Sequence, residues 1–274
     1  MQKEETHTMN MIVCVKQVID PEAPPASFKI DTSTNSVVPP AGVPPVISPF
    51  DEQAVEAALR IKDAMGGKIT AVSLGTGLLR DVVKKPLSMG ADELVLLEDP
   101  AFDGGDSWST AAALAAAIKK IGEYDIVFCG RQAADWDSGQ VGSGLAELLG
   151  LPSVTLAKKV EVMDGKAKVE RVIPDGYEVV EVSLPALITV SNELGEPRYA
   201  TIKGIMAAKR KEPIVWTPAD LGVDTSGLGA AGRRTKMLKL FQPVREGTCE
   251  IIEGEDETEA GANLAVRLSE AKLL

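Results

Sequence analysis

Four short apolar runs, each leading into a segment of helical periodicity, restrict this chain more than any other feature. Ile12-Val13-Cys14-Val15, Ile69 to Leu74, Glu93 to Leu97 and Asp125 to Cys129 read as strands, suited to burial on both faces. Ser48-Pro49-Phe50-Asp51 opens the first helix, with serine as cap, proline at the first helical position and acids in the first turn. Ala54, Val55, Ala58, Leu59 and Ile61 supply its apolar face, and Gly66-Gly67 ends it. A second helix is expected from about Thr76 to Met89, kinked or stopped early by Pro86. A third runs from Ser107 to Ile121, rich in alanine. A fourth spans Val141 to Leu149 and is stopped by Gly150-Leu151-Pro152. Strands alternating with helices of this length imply right-handed βαβ crossovers. The fold class is therefore α/β, a Rossmann-like, mostly parallel sheet flanked by helices.

The pattern changes after Pro152. Val160 to Met163 and Lys168 to Val172 flank Asp164-Gly165, a hairpin signal, and Pro174-Asp175-Gly176 makes a further turn. Tyr177 to Leu184 alternates and Ala186 to Val190 is apolar, so an antiparallel β section is expected to extend the sheet. Pro21 to Pro49 is too broken for a helix. Beyond Pro213 the periodicity fades into a Gly-rich linker from Gly222 to Gly232, an acid run from Glu250 to Glu259 and a short helix near Leu264 to Leu273.

Composition narrows the chemistry. His7 is the only histidine, which removes a Ser-His-Asp triad, an H-E-x-x-H zinc site and any multi-histidine metal centre. With 29 Lys+Arg against 40 Asp+Glu the net charge is −11, which argues against nucleic-acid binding. Cys14, Cys129 and Cys249 are odd in number and far apart, so neither a disulfide framework nor a zinc knuckle is expected, and the chain reads as reduced and intracellular. No apolar run reaches the roughly 18 residues of a membrane span. The first residues lack a signal-peptide h-region, and Met9 and Met11 are further candidate starts.

The most informative stretch runs from Cys129 to Gly144, between a buried strand and a helix, at the edge where open α/β sheets bind ligands. Its four glycines let backbone N–H groups approach a ligand, and the helix N-terminus favours an anion. Arg131 can add a charged contact, and Asp135 or Asp137 can cap the loop or hold ribose hydroxyls. A nucleotide site and a plain Gly-rich turn both remain open on these grounds. Asp135-x-Asp137-x-Gly139 lacks the third acid and the glutamate of a calcium loop. Gly75-Thr76-Gly77 has Arg80 where a dinucleotide fingerprint needs its last glycine, and there is no Walker A motif. Lys203, Lys209, Arg210 and Lys211 form a basic cluster beside Ile202, Ile205 and Met206. This is either an ordinary surface helix or a docking peptide, with Ile202 or Met206 as anchor and the cations steering an acidic partner.

From about Met11 onward the chain resembles the β subunit of electron transfer flavoproteins. The residues that carry the resemblance are Val13 to Asp20, Ser48 to Asp51, Ser88-Met89-Gly90-Ala91-Asp92, Cys129 to Gly142, and Glu196-Pro197-Arg198-Tyr199-Ala200-Thr201 to Met206. The resemblance implies a heterodimer with an α subunit that carries the electron-transferring FAD. It implies a chain in three parts: 1–10 an arm or tag, 11–212 the nucleotide-binding domain with its β extension and recognition loop, and 213–274 a linker and partner-wrapping arm. The implied nucleotide site comprises Cys14, Ser48, Pro49, Phe50, Asp51, Leu74, Gly130, Arg131, Gln132, Ala133, Ala134, Asp135, Trp136, Asp137, Ser138, Gly139, Gln140 and Val141, with Phe50 near the α-bound flavin. Pro21 stands where some members have a tyrosine, and Trp136 where small residues are usual. The recognition loop falls on Thr201 to Ala208, so Thr201, Ile202, Lys203, Gly204, Ile205 and Met206 would dock a redox partner such as an acyl-CoA dehydrogenase, with Ile202 as anchor.

Members of this family hold either AMP or a second FAD in the β site. Asp135-Trp136-Asp137-Ser138-Gly139-Gln140-Val141-Gly142 lies closer to the two-FAD pattern, as does Phe102 to Thr110, so a second FAD is expected over AMP. That would make flavin-based electron bifurcation possible, with the electron pair of NADH split between two acceptors. No catalytic side chain and no metal is implied, and the cytoplasm, or the mitochondrial matrix of a eukaryote, is the implied location. An adenine-nucleotide-binding regulatory module of the same fold is the alternative.

Overall fold

The computed structural model describes residues 8–243, 247 and 249–274. His7 and the rest of 1–7 lie outside it. The first strand is β1 (Met9–Cys14), so Met9 and Asn10, assigned above to an arm, begin a strand inside the main sheet. A short pair, β2 (Gln17–Val18) with a later partner, and a hairpin of β3 (Lys29–Asp31) and β4 (Ser36–Val38) occupy the Pro-rich passage. β5 (Val46–Ile47) is the partner of β2 and leads into α1 (Pro49–Met65). Ser48 sits at the cap position without a side-chain cap bond. Its Oγ accepts instead from the Ala134 N–H at 3.3 Å, which ties the start of α1 to a loop far along the chain.

β6 (Gly67–Leu74) follows. The single helix expected from Thr76 to Met89 is two short ones, α2 (Arg80–Val83) and α3 (Lys85–Met89). The break falls at Lys84 because Pro86, which lacks an N–H, fits only a first helical turn. β7 (Glu93–Leu97) and α4 (Ser107–Ile121) come next. α4 starts from a reciprocal capping box between Asp106 and Ser109. β8 (Ile126–Gly130), α5 (Val141–Leu149) and β9 (Ser153–Met163) follow. β10 (Lys166–Ile173), β11 (Gly176–Ser183) and β12 (Ala186–Val190) complete the β section.

One nine-stranded sheet runs β11-β10-β9-β12-β8-β1-β6-β7, with a final edge strand beyond β7. Only β9, β10 and β11 pair antiparallel. β12, expected within the antiparallel section, is parallel to both β8 and β9, and its five residues are all buried. α6 (Ile202–Arg210) packs on α3. The ninth strand is β13 (Ile214–Trp216), parallel to β7, so the sheet extends past residue 212. α7 (Pro218–Leu221) and α8 (Gly229–Gly232) follow. The Gly222–Gly232 stretch, read above as a linker, is packed down: Leu228 is buried and Ala230 N donates to Asp103 O. α9 (Glu257–Glu270), capped by Asp256, buries no residue.

Two apolar cores lie on opposite faces of the sheet. Met11, Val13, Ile69, Leu96 and Phe128 meet α1 and α3 on one, and Ile12, Val72, Val95, Val127 and Leu187 meet α4 and α5 on the other. Period-two alternation of strand side chains feeds both cores, which is why these strands lack polar faces.

Candidate nucleotide-binding site

After β1 the chain steps to β6 and β7 on one side, then returns to place β8 on the other. The carboxyl ends of β1 and β8 therefore form a topological switch point, where helices on the two faces diverge and leave a crevice. A cavity of about 840 Å³ opens there. Of the residues singled out from the sequence, Cys14, Asp51, Leu74, Gly130, Arg131, Gln132, Ala133, Trp136, Ser138, Gly139, Gln140 and Val141 line it. Ser48, Pro49, Phe50, Ala134, Asp135 and Asp137 do not.

Asp51 is the hub of the floor. From the first turn of α1 its carboxylate accepts the Lys16 N–H at 2.8 Å and the Gly130 N–H at 3.1 Å, joining the ends of the two switch-point strands. Burial pushes its pKa up to about 7 against the pull of those two bonds and of the Lys16 charge. Lys16 Nζ lies 2.7 Å from Asp135, so that acid holds a lysine. Gly130 is obligatory for space: a Cβ there would sit 2.5 Å from Asp51 Oδ1 and 2.8 Å from Phe50.

The loop from Arg131 to Gln140 is built from its own polar groups. Gln132 Nε2 donates to Asp137 Oδ1 at 2.7 Å, Asp137 N donates to Ala133 O, and Asp137 and Gly139 take left-handed backbone with φ of 51° and 62°. α5 then starts without a side-chain cap on Gln140, and among the described residues no acceptor faces the N–H groups of Ser138, Gly139 and Gln140. These amides and the first N–H groups of α5 are donors without a protein acceptor among the described residues, an arrangement that suits an anion. Arg131 lines the cavity, and its side chain is held by neighbouring groups. Its Nη1 donates to Asn192 Oδ1 at 3.1 Å, and the guanidinium lies 5.1 Å from the Phe50 ring centre.

The opposite wall is not assigned to the site from the sequence, although its first segment lies within Phe102 to Thr110, which follows the two-FAD pattern. Gly104 to Trp108 line the cavity, together with Arg233, Arg234, Thr235 and Met237 from beyond α8. Asp106 joins the two segments. One oxygen caps α4 through Ser109 N at 3.0 Å, and the other accepts Arg234 N at 2.7 Å and Thr235 N at 2.9 Å. Burial would raise its pKa, but these N–H donors outweigh it and hold the carboxyl well below its ordinary value. The Arg234 guanidinium lies 3.4 Å from the centre of the Trp108 ring. The Asp106-x-x-Ser109 pair is a legible helix start, whereas its second task depends on a segment 128 positions away.

The segment from Thr201 to Met206 lies outside the cavity lining. Thr201 caps α6 by accepting Gly204 N at 3.0 Å. Ile202 is 83% exposed, and Ile205 and Met206 are also exposed. Upstream, Arg198 donates to Glu56 at 2.7 Å and Asp63 at 2.8 Å, which fixes the approach to the helix. Burial works against the Glu56 carboxylate, yet Arg198 and Arg60 hold its pKa below the usual value. Lys211 is tied down, its Nζ donating to Asp92 O at 2.7 Å, so the basic cluster presents chiefly Lys203, Lys209 and Arg210.

An adenine nucleotide fits what is present: a deep crevice, uncapped amides and small residues where backbone must approach. Among the described residues no group of acids, cysteines or histidines could hold a metal ion, and no helix is long and apolar enough to cross a membrane. The family model described as "Electron transfer flavoprotein domain" matches residues 36–221. An electron transfer flavoprotein subunit beta of Thermoanaerobacterium thermosaccharolyticum is 45% identical over 95% of this chain and 98% of its own length. Subunit CarD of the caffeyl-CoA reductase-Etf complex of Acetobacterium woodii is 39% identical over 97% and 100%. Protein FixA of Azorhizobium caulinodans is 39% identical over 86% and 85%.

Proposed function

Because this chain belongs to the electron transfer flavoprotein family, as one of its β subunits, we propose that it holds a second FAD in the switch-point cavity and works in an αβ carrier that passes electrons between redox proteins. The observation that carries the FAD reading is the size and two-walled build of the cavity. At about 840 Å³ it lies toward the upper end of the range of small-molecule sites, roughly 300–1,000 Å³. A mononucleotide on the α5 amides would leave the wall of Trp108, Arg234 and Met237 without a ligand to cover. A dinucleotide spans both ends.

Bound flavin supplies the redox chemistry, accepting a pair of electrons and passing them on. The chain's own residues bind and orient it. The α5 N-terminus and the N–H groups of Ser138 to Gln140 take the phosphates. Asp51 and Gly130 keep the floor in register, and the Asp106 latch holds the far wall. Bifurcation goes with the second flavin, and the relative named for a caffeyl-CoA reductase complex supports an acyl-CoA dehydrogenase-type partner. The exposed Leu238, Phe241 and Ile251, with α9 burying nothing on this chain, support an arm that packs on the α subunit. Relatives matched along nearly their whole length leave the regulatory-module alternative without support.

Nucleotide analysis of the denatured, purified αβ complex tests the assignment. About two FAD per heterodimer and no AMP are expected; one FAD with one AMP would overturn the second flavin. Docking through α6 has its own test. Ile202→Ala removes an exposed anchor, expected to cost about 1–2 kcal/mol, or roughly 5- to 30-fold in affinity for the dehydrogenase. Bound flavin should not change. Unaltered transfer kinetics at limiting partner concentration would remove Ile202 from the interface.

A further inference from the structure

Two of the three cysteines lie side by side although 115 positions separate them in the chain. β1 and β8 are neighbouring parallel strands with Val13 opposite Phe128, so the next residues, Cys14 and Cys129, also face each other across the pair. Both point to the same face of the sheet, into the core shared with α4 and α5. Neighbouring strands lie about 4.8 Å apart, inside the roughly 4.4–6.8 Å range of Cα separations that a disulfide spans. The Cys129 thiol is pushed well above its usual pKa by its neighbour Cys14 and by burial, which marks the two groups as close.

Access to the pair is restricted. Cys14 is 8% exposed and Cys129 5%, and both line the switch-point cavity. A ligand that fills the cavity lies against both residues. The third cysteine, Cys249, is exposed and stands apart.

We propose that Cys14 and Cys129 form a dithiol–disulfide site whose reaction with small disulfides is gated by the nucleotide. The proposal rests on the reading of the cavity as a nucleotide site. With the cavity open, the Cys14 thiolate attacks a low-molecular-weight disulfide, forms a mixed disulfide and releases one small thiolate. Cys14 goes first because it is the more exposed of the two. Cys129, on losing its proton, attacks Cys14 Sγ and expels the second small thiolate. The protein gives up two protons and two electrons, and the small disulfide gains both as two thiols. With nucleotide bound, the first attack has no path.

The test uses the αβ complex carrying Cys249→Ser, compared after stripping of nucleotide and after reloading with FAD. Each sample is treated with 2-hydroxyethyl disulfide and followed by intact mass of the β chain. The stripped complex should lose the mass of two hydrogen atoms, while an added Cys129→Ser substitution should stop it at a stable mixed disulfide on Cys14. FAD at ten times its dissociation constant leaves about one site in eleven open, so closure should slow roughly tenfold. Failure of the stripped complex to close the bridge, with or without a mixed disulfide, overturns the pair. Closure at equal rates with FAD retained overturns the gating alone, whereas failure of the stripped complex to take back FAD at the β chain overturns the reading of the cavity as the seat of the nucleotide.

Discussion

Replacing Gly130 with valine is expected to strip the cavity of nucleotide and to lower the unfolding free energy by about 1–3 kcal/mol, the range for overfilling a packed site. Even a single added carbon would lie 2.5 Å from Asp51 Oδ1 and 2.8 Å from the Phe50 carbonyl carbon. The second of these is backbone in the first turn of α1, between the cap residue and a buried apolar face, and cannot yield without tilting the helix. Valine adds two further carbons. The first casualty is the Asp51 carboxylate, whose bond to the Gly130 N–H holds the floor. Gly165→Ala is the control. Unlike Gly130 it takes left-handed backbone, at φ 72°, so alanine adds local backbone strain there, but its Cβ meets nothing within 4 Å and it sits in a hairpin turn away from the cavity, so bound nucleotide should not change. Urea midpoints and bound nucleotide, measured on both variants as αβ complexes, decide the matter. A Gly130→Val complex with full nucleotide and an unmoved midpoint would refute the close packing of α1 on β8.

Asp51 should also impose a pH dependence of opposite sign to that of ordinary carboxylates. Its folded pKa of about 7 lies above the ordinary value of 3.8. Between those values the folded chain binds more protons than the unfolded one, so this group's contribution to stability falls as pH rises from about 4 to about 7. Raised by that much, the group accounts for a change of a few kcal/mol across the window. Glu56 and Asp106 act the other way, because their lowered pKa values give stability that is lost as pH falls. The whole-protein curve therefore blends both signs, and the difference between wild type and Asp51→Asn isolates this residue. Asparagine cannot ionise. It keeps one oxygen for one of the two N–H donors and sets an amide against the other, a cost that does not vary with pH. The variant should thus be relatively worst near pH 4 and recover toward pH 7. A constant offset across the range would show that Asp51 is ionised throughout.

What could be read from the sequence was decided by local chemistry. Glu93–Leu97, Ser107–Ile121, Val141–Leu149 and Ala186–Val190 fall where their apolar runs and stop signals put them. Ser48 was read as a cap because serine before proline and two acids has that local pattern, but the distant Ala134 N–H claims its hydroxyl. β13 is three residues with no alternation to notice, and only its pairing with β7 makes it a strand. The near side of the cavity was legible because a Gly-rich strand-to-helix turn announces itself. The far side was not, since Arg233 to Met237 have no pattern of their own and are placed by Asp106. The pairing of Cys14 with Cys129 likewise follows from strand order, which no local window contains.

The latch between Asp106 and Arg234 sets a clock on biogenesis. The two residues are 128 positions apart, and ribosomes add roughly 5–20 residues each second. The wall that closes the cavity therefore reaches the nascent chain roughly 6–25 s after the acid that will hold it. During that interval β1 and β8 can pair and the loop from Arg131 to Gln140 can form, yet the crevice has only one side. Any ligand that needs both walls can therefore be held only after synthesis has passed Arg234, in the chain's C-terminal third.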